Sequence, residues 1–267
     1  MILRPTKIED ISRVIDIINQ AKTYFKNNDI DQWQDGYPNE ETIEKDIENN
    51  ELFKEGLFTI QDISSMMASK VLNPKENSNA LDVCSAPGGK TTHIATLMNN
   101  TGKVISRDVF EHKLKLINNT VNRLGLTNVE VENFDASILD ENSINKFDYV
   151  LADVPCSGLG IIRRKPEIKY KSKAEIKDLP VLQRKILENA SKYVKVGGNL
   201  LYSTCTILDS ENIEVINNFL KENDNFELVP IDEVNVDLDN QEKGYLKIYP
   251  NIHGMDGFFI AKLKRVR

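Results

Sequence analysis

ALDVCSAPGGKTTHIA, residues 80–95, runs from an apolar stretch through a tight Ala86-Pro87-Gly88-Gly89 turn into a helical pattern. Strand, glycine turn and helix in succession open an α/β unit, and open α/β sheets take ligands beyond the carboxyl ends of their strands. Paired glycines let backbone approach a ligand, and the following helix N-terminus favours negative charge. Two nucleotide readings fail on spacing. A phosphate-binding P-loop ending in Gly89-Lys90-Thr91 needs its first glycine where this chain has Cys84, and the dinucleotide fingerprint G-x-G-x-x-G is absent.

Working outward, further apolar runs occupy 79–84, 103–108, 128–133, 147–154 and 199–204. Helical patterns lie between most of them, among them KTTHIATLMNN, FEHKLKLINNTVNRLG and LQRKILENASKYVKVGG. That alternation predicts an α/β fold with a doubly wound, mostly parallel sheet covered by helices on both faces. The tail differs: YLKIYP and GFFIAKLK, joined by NIHGMDG, predict a hairpin-like pair. Its second strand, about 257–263, is expected to run antiparallel at or near one sheet edge.

Asp108 ends the second run, Asp135 follows the third and Asp153 ends the fourth. Any one alone reads as a turn or cap residue. In series they would repel a triphosphate, but suit a ligand with ribose hydroxyls, an exocyclic amine and a positive sulfonium. S-adenosylmethionine is such a ligand.

Cys156, in LADVPCSGLG, and Cys205, in LYSTCTILDSEN, each sit just past an apolar run. A free cysteine is usually a small buried hydrophobe. Here both fall at strand ends beside an acid, Asp153, which suits cytosine C5 methylation. C5 is a poor nucleophile, so a thiolate first adds to C6, and a base later removes the C5 proton so that the thiol can leave.

Composition narrows the setting. The three cysteines form no C-x-x-C pair, and only three histidines accompany them, so neither a disulfide framework nor a metal site is expected. No apolar run approaches a membrane span, and the charged start MILRPTKIEDISRV is no signal peptide, so a cytoplasmic protein is expected, most simply a monomer. The net charge of −7 is uneven: residues 1–51 hold 6 Lys and Arg against 12 Asp and Glu. By contrast, IIRRKPEIKYKSKAEIK (161–177) holds seven basic residues against two acidic ones, directly after the Cys156 loop. A charge run is usually a solvated face, but this position favours a polyanion such as RNA, with Arg163, Arg164 and Lys165 as contacts.

DVCSAPGGKTTHIA, DVPCSGLG, LLYSTCT followed by Glu211-Asn212, and HGMDGFFIAKL together resemble the RNA (cytosine-5) methyltransferase family, in particular its bacterial 16S ribosomal RNA enzymes of the Fmu/Sun type. The resemblance covers about residues 52–267, taken as the catalytic domain, and implies the Rossmann-like class I S-adenosylmethionine-dependent methyltransferase fold. It implies that Cys84, Ser85, Ala86, Pro87, Gly88, Gly89 and Lys90 wrap the cofactor, with Asp108 on the ribose and Asp135 on the adenine. Asp153 would lie near methyl donor and target base, Cys205 would be the nucleophile, and Cys156 would assist release of methylated RNA, a division of labour unlike that of DNA cytosine methyltransferases, whose nucleophile sits in the earlier Pro-Cys motif. Residues 1–51 depart from that family, whose members carry a helical NusB-type domain there. They resemble instead a truncated N-terminal fragment of GNAT-type acetyltransferases, with a first strand, a helix pair and the loop DQWQDGYPN.

Overall fold

The computed structural model describes residues 7–27, 39–234 and 238–267. The first strand and the DQWQDGYPN loop of the acetyltransferase resemblance fall on residues 1–6 and 28–38, outside the described residues. The chain divides into two compact units, Met1–Thr59 and Ile60–Arg267. In the first, helix α1 (Ile11–Asn27) and helix α2 (Glu40–Lys54) pack together, burying Ile11, Ile18 and Ile47. Asn39 caps α2 by accepting from the Thr42 amide at 2.9 Å.

The second unit starts with helix α3 (Ile63–Leu72), capped by Asp62 and ended by Asn73 in the left-handed region, φ 48°. Its strands are β1 (Asn79–Asp82), β2 (Lys103–Asp108), β3 (Val129–Asn133), β4 (Phe147–Asp153), β5 (Val194–Thr204), β6 (Phe226–Leu228), β7 (Tyr245–Ile248) and β8 (Phe258–Arg265). They form one sheet in the order β3-β2-β1-β4-β5-β8-β6, with β7 also paired to β8. The first five are parallel, and β8 runs antiparallel to β5 with β6 and β7 antiparallel on its far side. Helices α4 (Gly89–Leu97), α5 (Glu111–Arg123), α6 (Lys173–Lys177), α7 (Leu179–Tyr193), α8 (Ile213–Glu222) and α9 (Pro250–His253) complete the order.

Period-two alternation explains the continuous apolar strands. Val150, Ala152, Leu200 and Tyr202 face a core closed by Ile186 and Leu187 of α7 and Ile216 and Phe219 of α8. Leu151 and Leu201 face the opposite core, closed by Met67 and Val71 of α3 and Ile94 of α4. The sheet is therefore doubly wound, and β1 and β4 flank the point where strand order reverses.

Two elements differ from expectation. The helical pattern through 182–198 stops at Tyr193, and β5 begins at once at Val194. The register jumps there, from Phe147 opposite Val194 to Tyr149 opposite Asn199. Gly197 supplies the turn at φ 82°, and Lys195 bonds the Asp148 carboxylate at 2.8 Å. Second, the three-residue β6 lay within no apolar run long enough to announce a strand.

Candidate active site

The parallel strands deliver their carboxyl ends to one edge of the sheet, where Asp82, Asp108 and Asp153 close β1, β2 and β4 and Asp135 follows β3. Asp108 ties the turn after β1 to this edge: its carboxylate accepts from the Ala86 amide at 3.1 Å and the Phe110 amide at 3.0 Å. Each oxygen keeps a lone pair for a further donor. Ser85 reaches across as well, its amide and hydroxyl both donating to the Arg107 carbonyl at 2.9 Å. Gly88 is required by its backbone, φ 104°, and a Cβ there would stand 3.2 Å from the Ile117 Cα. Asp135 accepts from the Ser137 amide at 2.8 Å.

The carboxylates converge on one thiol. Burial first, then Asp82, Asp153, Asp108 and Asp135, push the Cys84 thiol well above its ordinary range. Acids gathered around a neutral sulfur at this edge suit a cationic, hydroxyl-bearing ligand. Asp82 itself is fully buried and accepts from Thr91 Oγ1 at 2.7 Å. Burial, reinforced by Asp153 and opposed by the Thr91 hydrogen bond and Lys90, raises its carboxyl to about 7.

Lys90 links this turn to the cysteines. Its Nζ lies 2.7 Å from Asp153 and 5.3 Å from the centre of the Phe258 ring. Burial pulls the ammonium down, but Asp153, Asp82 and Cys205 outweigh it and hold Lys90 above its ordinary value. Asp153 also accepts from Ser203 Oγ at 2.6 Å, along the register that pairs Asp153 with Ser203.

That register brings the two loops beyond β4 and β5 together, and Cys156 Sγ lies 3.1 Å from Cys205 Sγ. Both thiols are free and partly buried. Either sulfur can donate in this contact. The contact lowers the Cys205 thiol, with Lys90 helping against burial and Asp153, while the same bond and burial raise Cys156 well above its usual range. The pair thus favours Cys205 over Cys156 as the sulfur that loses its proton first.

Three further residues hold the cysteine loops. Glu211, fully buried, accepts from the Ser157 amide at 2.9 Å and from Gln183 Nε2 at 2.8 Å. Gln183 also donates to the Pro155 carbonyl at 2.9 Å. Gly160 donates its amide to the Cys205 carbonyl at 3.0 Å and accepts from the Gly257 amide at 2.9 Å. The sequence placed Glu211 and the Met255-Asp256-Gly257 segment inside motifs, but motifs carry no signal of which backbone they touch.

The basic strip is less free than its composition implies. Arg163 donates to the Gly254 carbonyl at 3.2 Å and to Asp256 at 3.3 Å, and Arg164 pairs with the other Asp256 oxygen. Lys171 donates to the Ser157 carbonyl at 2.8 Å, beneath the Cys156 loop, while Lys165 is exposed. Among the described residues, no cluster of His, Cys, Asp or Glu could hold a metal ion, and no helix is long and apolar enough to cross a membrane.

A sheet of this order, with acids at successive strand ends and an antiparallel strand beside β5, has the Rossmann-like fold of S-adenosylmethionine-dependent methyltransferases. Within that class, the chain belongs to the 16S rRNA methyltransferase RsmB/F family, which matches residues 69–264. It is 42% identical over 228 residues to the probable ribosomal RNA small subunit methyltransferase B of Bacillus subtilis, covering 82% of this chain and 50% of the relative. Ribosomal RNA small subunit methyltransferase F of Shewanella piezotolerans is 36% identical over 221 residues, covering 79% of this chain and 46% of the relative. The chain spans about half the length of these curated relatives. Among solved structures, that of NSun6 from Pyrococcus horikoshii with SFG aligns with a TM-score of 0.74 at 33% identity, over 81% of this chain and 55% of that one.

Proposed function

We propose that residues 52–267 transfer a methyl group from S-adenosylmethionine to C5 of a cytidine in RNA, with small-subunit ribosomal RNA as the substrate. The observation that carries the reading is the thiol pair, 3.1 Å apart, beside an edge lined by four carboxylates. Family membership and the relatives' names support the choice of RNA.

The residues fit the cofactor. Cys84, Ser85, Ala86, Pro87, Gly88, Gly89 and Lys90 form the turn that would wrap it, with Asp108 for the ribose hydroxyls and Asp135 for the adenine edge. Asp108, Asp135 and Asp153, whose fields converge at Cys84, favour its positive charge. S-adenosylmethionine supplies an electrophilic methyl group. Cys205 adds as thiolate to C6 of the cytosine, and electron density moves to C5, which takes the methyl group. Asp153, placed by Lys90 and Ser203, lies beside the thiols, where it can hold the base. A base then takes the C5 proton, the C5–C6 double bond re-forms and the Cys205–C6 bond breaks with its electron pair returning to the Cys205 sulfur, with Cys156 assisting release. Arg163, Arg164 and Lys165 face the RNA backbone. Every residue so assigned belongs to the unit 60–267, so residues 1–59 are given no part in the chemistry, and the enzyme is taken as a cytoplasmic monomer.

The test is incubation of the full chain with methyl-labelled S-adenosylmethionine and unmodified bacterial small-subunit ribosomal RNA. Label at cytidine C5 is the expected outcome. Absence of label, or label on another base, would overturn the reading.

A further inference from the structure

The sequence reads 161–177 as a strip of charge, but Arg163 and Arg164 are not independent of one another. Both converge on Asp256, whose side chain is 1% exposed although the arginines remain 54% and 53% exposed. A buried carboxylate is costly to keep, and this one is held by two guanidinium groups whose outer halves stay in solvent. Each guanidinium has five N–H donors. Arg163 directs one to the Gly254 carbonyl and one to Asp256, and Arg164 forms an ion pair with the other Asp256 oxygen, so donors on both remain outward. Two cations against one anion leave a net positive charge.

The anchor of this pair is the backbone of the candidate active site. Gly257, next to Asp256, donates to the Gly160 carbonyl at 2.9 Å, and Gly160 donates to the Cys205 carbonyl at 3.0 Å. A Cβ on Gly160 would come within 2.0 Å of the Gly257 oxygen, so the two segments are in backbone contact. Phe258, the next residue along, lies beside Lys90 Nζ. The arginine pair is therefore fixed relative to Cys205 through two consecutive hydrogen bonds.

We propose that Asp256 is a positioning residue that holds Arg163 and Arg164 as a guanidinium clamp for a phosphodiester of the RNA beside the target cytidine, an inference that rests on the methyltransferase reading. A planar guanidinium fork binds phosphate oxygens in a bidentate way that a lysine ammonium cannot reproduce. The clamp holds the bound strand at this edge with a bidentate geometry that a point charge does not supply, so its loss is read in affinity.

The experiment compares full-length wild type with Asp256→Asn, Arg163→Lys and Arg164→Lys on a small-subunit ribosomal RNA fragment. Asp256→Asn keeps the shape and one acceptor but not the charge. The KM for RNA is expected to rise about tenfold, the scale of one lost charge-assisted contact, while the single-turnover rate at saturating RNA changes less than twofold. Each Arg→Lys variant is expected to raise KM similarly while leaving the salt dependence of binding unchanged, because the charge persists. A folded Asp256→Asn protein with unchanged KM overturns the proposal, as does full preservation of KM by both lysine variants. RNA binding by fluorescence anisotropy keeps the two readings separate. If wild type binds RNA but does not methylate it, the methyltransferase reading fails, while the clamp is still judged by the variants' affinities.

Discussion

At the scale of the residue, the two cysteines carry the sharpest expectation. Cys205→Ala abolishes methyl transfer, because C5 is not activated without addition at C6. Cys156→Ala permits addition and transfer but impairs elimination, so a protein–RNA adduct through Cys205 accumulates, visible as a denaturation-resistant band. A band with Cys205→Ala and none with Cys156→Ala would reverse the roles. The hydrogen bond between the thiols adds something the sequence did not contain. Strand-end placement of both cysteines was legible in DVPCSG and LYSTC, but their contact depends on the β4–β5 register. Asp82 offers an independent check on the carboxylate cluster. Its carboxyl sits at about 7 when folded against an ordinary 3.8, so the native state holds a proton that the unfolded chain has released. The stability this gives is full below the ordinary value and is lost as pH rises through about 7. Its upper bound is roughly 4 kcal/mol, at about 1.4 kcal/mol per unit. Wild type is expected to lose thermal stability between about pH 4 and 7 more steeply than Asp82→Asn, which never ionises. Parallel melting curves for the two proteins would remove Asp82 from the cluster.

At the scale of the element, alternation of apolar runs with helical patterns was enough to place β1 to β4 within a residue or two, because β1, β2 and β4 are largely buried on both faces, although β3 at the sheet edge buries no residue fully. It failed where geometry interrupts periodicity. Tyr193 to Val194 passes from helix to strand with no intervening turn residue, and the Gly197-Gly198 pair lies inside the strand's bulge, where it resembles a helix end. The charge strip at 161–177 was legible as composition, but its tether to Asp256 arises from a segment 93 residues away in sequence. The crossing of Gly160 and Gly257 yields a prediction at this scale. Gly160→Ala forces a methyl group against a backbone oxygen, so the loop after Cys156 must separate from the start of β8. A loss of about 2 kcal/mol or more is expected in denaturant titration, with the slope unchanged. Wild-type stability in the variant would show that the two segments are not held together in solution.

At the scale of the whole molecule, the acid excess of residues 1–51 and the mixed charge of the rest were readable from composition, whereas the burial of individual charges was not. Ligand linkage tests the assembled site. S-adenosylhomocysteine, binding only the folded protein, should stabilise it by roughly 2.7 kcal/mol at a hundredfold excess over its dissociation constant, while ATP at the same excess over that constant should not. A rise in melting temperature with ATP and none with S-adenosylhomocysteine would contradict the cofactor assignment. The parallel pairing of β4 with β5 also has a kinetic meaning. Asp153 meets Ser203 only after the chain from 154 to 193, including α6 and α7, has crossed over one face of the sheet. Such non-local pairing forms late relative to local helices, since the closure of a long loop precedes any reward from contact. The sulfur of Cys156 therefore reaches that of Cys205 no earlier than the central sheet closes. A reagent that bridges two adjacent thiols, applied in pulses during refolding, would make this pair a clock for the assembly of the sheet.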